Sequence, residues 1–213
     1  MFVNFCRTCY DKENIREELM YYFIINPNSR SGKGALIWRD LENILRERNI
    51  KYQTFFTEYK GHAVKLSASI TASIPEDSQI KLIAVGGDGT IQEVLSGVKD
   101  ISRVIFGYIP TGSGNDFCRS MKLPQDPMKA LELILSDKRP HLMDVPHISC
   151  GSNSSRFAIS CGIGFDAAVC HEVGVTPMKK SPEQNRPRQT GLSLCRIETI
   201  AFPEAIFYDT AHG

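Results

Sequence analysis

Short apolar runs alternate with amphipathic stretches along the first two thirds of the chain. Tyr21-Tyr22-Phe23-Ile24-Ile25 is a continuous apolar run that stops at Asn26-Pro27, which predicts a buried strand. Ile37, Leu41, Ile44 and Leu45 then recur at helical spacing, with Arg39, Asp40, Glu42 and Arg46 between them, which predicts an amphipathic helix. The alternation repeats. Strands are predicted over 51–56, 80–85 and 104–109, and helices over 63–73, 90–98, 117–121 and 127–136, the last carrying Leu131, Ile134 and Leu135 on one face. Strands interleaved with helices predict an α/β domain with a largely parallel sheet. In such a sheet the loops that follow strands share one edge, and ligands bind there. Three glycine-bearing loops follow strands in this chain, at 26–34, 86–90 and 110–116, so their convergence is a topological expectation.

The rhythm changes after about residue 140. Residues 141–148 and 156–163 read as two strands with a Gly-Ser-Asn-Ser-Ser turn region at 151–155 and no helix between, a hairpin-like β segment. Residues 176–190 hold three prolines and four basic residues against one acid, which reads as a linker or poorly ordered stretch. Residues 192–213 show apolar pieces without a clear period.

A chain of 213 residues suits one large domain or two small ones, and 42% hydrophobic with 23% charged residues supports an ordinary core. A net charge of +1 gives no general pull toward nucleic acid or membrane. No apolar stretch reaches the roughly 20 residues that span a bilayer, and the N-terminal apolar residues are too few for a secretory segment. The seven cysteines are odd in number and irregular in spacing, which predicts reduced thiols and a cytoplasmic protein. Cys6-Arg7-Thr8-Cys9 has metal or redox spacing, but no second pair follows it. The five histidines share no metal-like spacing.

Gly86-Gly87-Asp88-Gly89-Thr90 follows the strand at 80–85 directly. Glycines permit close backbone approach, and Thr90 with Glu93 fits a capping box, which would aim helix amides at the loop and favour an anion. Asp88 opposes an anion unless a magnesium ion bridges the two; the other reading is a tight turn with Asp88 solvated. The 26–34 loop, with Arg30 and Lys33, has the composition of a phosphate loop but no Walker A pattern, and a solvated basic turn explains it equally. In Pro110-Thr111-Gly112-Ser113-Gly114-Asn115-Asp116, Thr111 and Ser113 can hydrogen-bond a phosphate or nucleotide, while Asn115 or Asp116 can serve as a helix cap.

Asn26-Pro27 with Ser31-Gly32, then Gly86 to Thr90, then Pro110 to Asp116, in that order, closely resemble the diacylglycerol kinase catalytic domain. Its superfamily includes bacterial lipid kinases and the sphingosine and ceramide kinases. Thr57 with Gly61-His62-Ala63 matches a further family element, and Gly162-Ile163-Gly164-Phe165-Asp166-Ala167 looks like the glycine-rich start of the family's second domain. The resemblance covers roughly residues 20–180; the pentapeptide alone is shared with NAD kinases and phosphofructokinases.

The resemblance implies an NAD kinase/diacylglycerol kinase-like nucleotide domain over 20–138. The start of a β-sandwich domain would follow over 139–175, and a linker or non-family tail over 176–213. It implies ATP and magnesium, with phosphoryl transfer to a lipid hydroxyl at a membrane surface that the protein touches peripherally. By position, Asn26, Ser31, Gly32, Thr57, Gly86, Gly87, Asp88, Gly89, Thr90, Glu93 and Ser113 would line the nucleotide site, with Asp88 organising magnesium and the phosphates. The first loop carries two extra residues around Asn28 to Arg30, so its alignment is ambiguous. Family members also carry a late Asp-Gly-Glu-like element whose acid deprotonates the lipid hydroxyl; no Asp-Gly-Glu occurs here, which reads as an incomplete chain. Two rivals follow: a nucleotide-binding fragment without turnover, and an NAD kinase, against which the 110–117 segment argues.

Overall fold

The computed structural model describes residues 20–75, 77–136, 140–150, 153–159, 199–201 and 204–207. Cys6 and Cys9, the segment from Gly162 to Ala167 and the basic stretch at 176–190 lie outside the described residues.

The predicted alternation is present. Strand β1 (Tyr21–Ile25) leads through a short turn, α1 (Ser29–Gly32), into α2 (Gly34–Glu47). Next come β2 (Tyr52–Phe56), α3 (His62–Ser73), β3 (Ile80–Gly86) and α4 (Asp88–Gly97). A 3-10 turn (Ile101–Arg103) precedes β4 (Val104–Pro110), α5 (Asp116–Ser120) and α6 (Pro127–Leu135). The α6 start follows a simple rule: Pro127 occupies the first turn, where no amide is needed, and the Asp126 side chain accepts the Lys129 amide at 3.0 Å.

Strands β2, β1, β3 and β4 pair in that order, all parallel. Period-two alternation divides the core between the two faces. Ile24, Leu82, Ala84 and Phe106 pack with Ile70 of α3 and with Ile91, Val94 and Leu95 of α4. Phe23, Ile25, Ile83, Val85 and Ile109 pack on the other face with Trp38, Leu41 and Leu45 of α2 and with Leu131 and Ile134 of α6. Burial on both faces explains why β1, β3 and β4 read as continuous apolar runs rather than alternating ones.

The C-terminal part differs from the sequence reading. The predicted strand over 141–148 is two strands, β5 (His141–Asp144) and β6 (His147–Cys150), separated at Val145-Pro146. Pro146 lacks the amide a continuous ladder needs. Strand β6 pairs antiparallel with β7 (Asn153–Arg156), so the hairpin exists, but its second strand begins inside the predicted 151–155 turn region. Strand β8 (Thr199–Ala201) adds to β6, giving a second sheet in the order β7-β6-β8. Strand β9 (Glu204–Phe207) instead pairs parallel with β4 and antiparallel with β5, completing a six-stranded first sheet. Residues 141–144 thus belong to the first sheet, although the sequence boundary at 139 assigns them to the second domain. The stretch read as a linker or non-family tail supplies one strand to each sheet.

Candidate active site

The register brings the strand ends to a common edge. Ile25 pairs with Val85, and Gly86 with Pro110. The ladder runs one residue further at each exit: Thr57 donates its amide to Ile25 O, Asn26 to Val85 O and Thr111 to Gly86 O, each at 2.8 Å. Asn26, Thr57, Gly86 and Thr111 are therefore fixed side by side by backbone bonds before any side chain acts.

Side chains then tie the loops together. Asn26 Nδ2 donates to Thr90 Oγ1 at 3.3 Å, which links the first loop to α4. The Ser29 and Thr111 hydroxyls are buried and 2.7 Å apart, which links the first loop to the third. Buried hydroxyls must find partners, and these two satisfy each other. Gly86 is required sterically: a Cβ there would lie 2.3 Å from Thr90 Oγ1. Gly112 is required for the same reason, since its Cβ would meet Gly87 Cα at 2.7 Å.

The helix after β3 starts three residues earlier than the capping-box pattern predicts. Gly87 is the N-cap, Asp88 opens α4, and Thr90 is inside the first turn and buried. Thr90 therefore does not cap α4, and Glu93 does not reach back to it. Glu93 Oε2 instead accepts the Ala63 amide at 3.3 Å, supporting the first turn of α3, where Gly61 in the left-handed region supplies no side-chain cap. The Thr90 side chain is committed to packing under Gly86 and to its bond from Asn26, which is why the pattern misleads.

Asp88 is not a solvated turn residue. Its Oδ2 accepts the Asp116 amide at 3.0 Å and its Oδ1 the Phe117 amide at 3.1 Å, so its carboxylate caps α5 from across the site. The sequence places that cap on Asn115 or Asp116. Asn115 occupies the N-cap position with φ +53° and makes no cap bond; its side chain bridges Gly112, accepting the Gly112 amide at 3.1 Å and donating to Gly112 O at 3.2 Å. The Asp116 side chain pairs with Arg119.

A cleft of about 370 Å³ opens between the loops. Of the residues singled out from sequence, Asn26, Thr57, Gly87, Gly89, Thr90 and Glu93 line it. Gly86 is buried and Asp88 half-buried, and neither is part of its lining; the Asp88 carboxylate is turned to the α5 amides instead. Ser31, Gly32 and Ser113 are exposed and lie outside its lining. The turn through Arg30, Ser31 and Gly32 is left-handed, with φ of 50°, 58° and 88°, and it brings Arg30 rather than Ser31 to the cleft. Lys60 and Tyr59 line it as well; Tyr59 stacks on His62 with ring centroids 4.5 Å apart, and sequence reasoning names neither residue.

Gly89 differs from its neighbours. It lines the cleft, its φ is not in the left-handed region, and a Cβ placed there meets no heavy atom within 4 Å. The fold does not need a glycine at this position; open space over the backbone is what it provides. Below the loops, Cys118 is buried, and burial, with the Asp88 charge second, pushes its thiol up to about 11. Among the described residues no group of three or more His, Cys, Asp or Glu is arranged to hold a metal ion.

The diacylglycerol kinase catalytic domain model matches residues 20–148. The chain belongs to this family. The Bacillus subtilis (strain 168) protein YtlR is 33% identical over 165 residues, covering 75% of this chain and 52% of that protein. The diacylglycerol kinase of Staphylococcus saprophyticus is 32% identical over 141 residues, covering 64% of this chain and 43% of that enzyme. A solved diacylglycerol kinase-like fold from Bacillus anthracis str. Sterne superposes with a TM-score of 0.50 at 23% identity, over 64% of this chain and 47% of that one. The chain spans about half the length of the relatives it matches. The family match begins at β1 and ends inside β6, so it includes all three loops of the site.

Proposed function

We propose that this chain carries the ATP- and magnesium-binding part of a lipid kinase that transfers the γ-phosphoryl group of ATP to a lipid hydroxyl. The observation that carries this reading is Gly89, a cleft-lining glycine that neither backbone geometry nor packing requires. The open space over it would admit a bulky group at the first turn of α4. The first-turn amides of a helix have no partners within the helix and attract phosphate oxygens. Arg30 and Lys60 add positive charge at the same cleft.

A magnesium ion suits such a site without a protein-built cage, since it is commonly held by one or two carboxylates together with substrate phosphates. Asp88 is our candidate for that role, next to the cleft-lining Gly87 and Gly89: two amides occupy one lone pair on each of its oxygens, and each oxygen retains a second. When bound, the ion neutralises charge on the transferring phosphoryl group. The protein's own contribution is positioning. The Ser29–Thr111, Asn26–Thr90 and Asp88–Phe117 bonds tie the three loops together and would hold them in place around a bound donor. The lipid acceptor would approach from a membrane surface with the protein in the cytoplasm. Among the described helices none is long and apolar enough to cross a membrane.

Nucleotide binding without turnover is the second reading. The sequence contains no Asp-Gly-Glu, and of the two carboxylates lining the cleft, Glu58 and Glu93, the second is bonded to Ala63. Titration calorimetry with ATP, with and without magnesium, tests what the two readings share. Saturable binding that requires magnesium supports them. A folded, monodisperse sample that gives no heat with ATP overturns both.

A further inference from the structure

One side chain at the site belongs to no motif. Tyr108 lies within β4, a strand whose apolar run marks it as core, and the residue is 5% exposed. Its ring packs edge-on against Phe117 with centroids 5.8 Å apart. Its hydroxyl reaches the underside of the site, 3.1 Å from Gly86 O and 3.0 Å from Asn115 Oδ1. One hydroxyl hydrogen thus faces two acceptors, one from each of the loops that flank the cleft.

The two acceptors are not equivalent. Gly86 O already receives the Thr111 amide at 2.8 Å and the Gly112 amide at 3.1 Å, which fill the two lone pairs of a carbonyl. Asn115 Oδ1 receives the Gly112 amide, which it shares with Gly86 O, and so has room for the phenol. Asn115 holds a left-handed φ, a conformation that persists where surrounding bonds over-determine it. Immediately after it come the Asp116 and Phe117 amides that bind Asp88.

We propose that Tyr108 is a positioning residue that holds the Asn115 turn beneath Gly86 through its hydroxyl, and thereby fixes the Asp116 and Phe117 amides that hold Asp88. Burial, and secondarily the Asp88 charge, hold the phenol protonated at every working pH, so it remains a donor to Asn115. The interaction is particular to tyrosine. Phenylalanine would fill the same core space and keep the Phe117 contact, yet remove the phenol's bond and leave the backbone bonds and the Asp88 carboxylate to join the two loops. The inference rests on the kinase reading for its catalytic consequence but not for its structural one, and the test separates the two.

The test compares wild type with Tyr108→Phe, Asn115→Ala and the double variant. Hydrogen exchange at the amides of Gly112, Asp116 and Phe117 reports the tether without any substrate. Tyr108→Phe should speed exchange at these amides by about tenfold or more while amides of β1 and α2 are unchanged, the pattern of a local rather than global opening. In lipid phosphorylation the same variant should lower kcat by about tenfold with KM for ATP held within about twofold, as expected for lost alignment rather than lost binding. The double variant should be no worse than Asn115→Ala alone, since both remove one contact. Unchanged exchange and unchanged kcat in Tyr108→Phe overturn the proposal, as do additive effects in the double variant. Should Tyr108→Phe destabilise the whole domain, Asn115→Ala carries the exchange comparison, and unchanged exchange at Asp116 and Phe117 there overturns the proposal equally. A wild-type protein that phosphorylates no lipid refutes the kinase reading, and the exchange rates alone then decide whether the tether exists.

Discussion

The carboxylate of Asp88 receives the backbone amide of Phe117 at 3.1 Å across a sequence separation of 29 residues. The acid at the centre of the glycine loop therefore serves as the cap of a helix on the next loop. Asp88→Asn offers one acceptor oxygen where two are used, and turns its NH2 group toward an amide hydrogen. We expect a stability loss of about 1–3 kcal/mol, from losing a charged acceptor and leaving one amide hydrogen without a partner. Chemical denaturation of wild type and variant measures it, and an unchanged midpoint and slope would show that the Asp88 cap does not exist in solution.

Gly89 separates folding from ligand approach. Gly89→Ala adds a methyl group over open space, and removing a glycine from a helix stabilises by up to about 1 kcal/mol. The variant should melt at or above the wild-type temperature while its affinity for ATP falls by about tenfold or more, because the methyl group occupies space that a ligand needs. ATP binding equal to wild type would remove the argument drawn from this glycine.

Gly112→Ala should behave in the opposite way. Its Cβ would sit 2.7 Å from Gly87 Cα and 2.8 Å from Asn115 Oδ1, so two loops must separate. Overpacking of this kind costs about 1–3 kcal/mol, and thermal denaturation should show the loss directly. A variant as stable as wild type would mean that the loops do not meet as closely as described.

The far end of α4 is held by the second sheet. The Arg156 guanidinium donates to Leu95 O and Lys99 O, each at 3.1 Å, and also to Val98 O, while Ser155 Oγ lies 3.0 Å from Ser96 Oγ. A cation on the last carbonyls of a helix is favourable for both hydrogen bonding and the helix dipole. Arg156→Ala should lose about 1–3 kcal/mol, and Arg156→Lys should recover part of it. Equal stability of all three proteins in urea would show that the hairpin does not grip α4.

Cys118 gives a pH prediction. Its thiol ionises at about 11 when folded, against 9.0 for the unperturbed group, so the folded state holds its proton where the unfolded chain has lost it. The stability it contributes is present below pH 9 and declines as pH rises from 9 toward 11. Peptide-level mapping of alkylation under native conditions should find Cys118 unmodified at neutral pH and modified after unfolding. Rapid native labelling would contradict its burial.

Much of this was legible in the sequence because continuous apolar runs and helical spacing report burial directly. Strands β1, β3 and β4 and helices α3 and α6 fall within two residues of their expected limits, and α2 contains the apolar positions that predict it. Local patterns failed where tertiary bonds compete with them. Thr90 and Glu93 have the spacing of a capping box, yet Asn26 and Ala63 claim them from elsewhere in the chain. Asp88 caps a helix it does not precede, which no local pattern encodes. Tyr108 looked like core because it is core, and only its hydroxyl belongs to the site. Strand β9 was not legible because its pairing with β4 and β5 joins segments separated by a long stretch of chain.

The measurement that bears most directly on the central claim is transfer of label from γ-labelled ATP to lipid, with diacylglycerol in vesicles as the first acceptor offered and sphingoid bases and ceramide in parallel. Wild type, Gly89→Ala and Asp88→Asn are compared after their folding has been checked. The account predicts magnesium-dependent labelling of a lipid by wild type and its loss in both variants, with Gly89→Ala fully folded. A wild-type protein that binds ATP but labels none of these lipids, or a Gly89→Ala variant that labels as well as wild type, would contradict it.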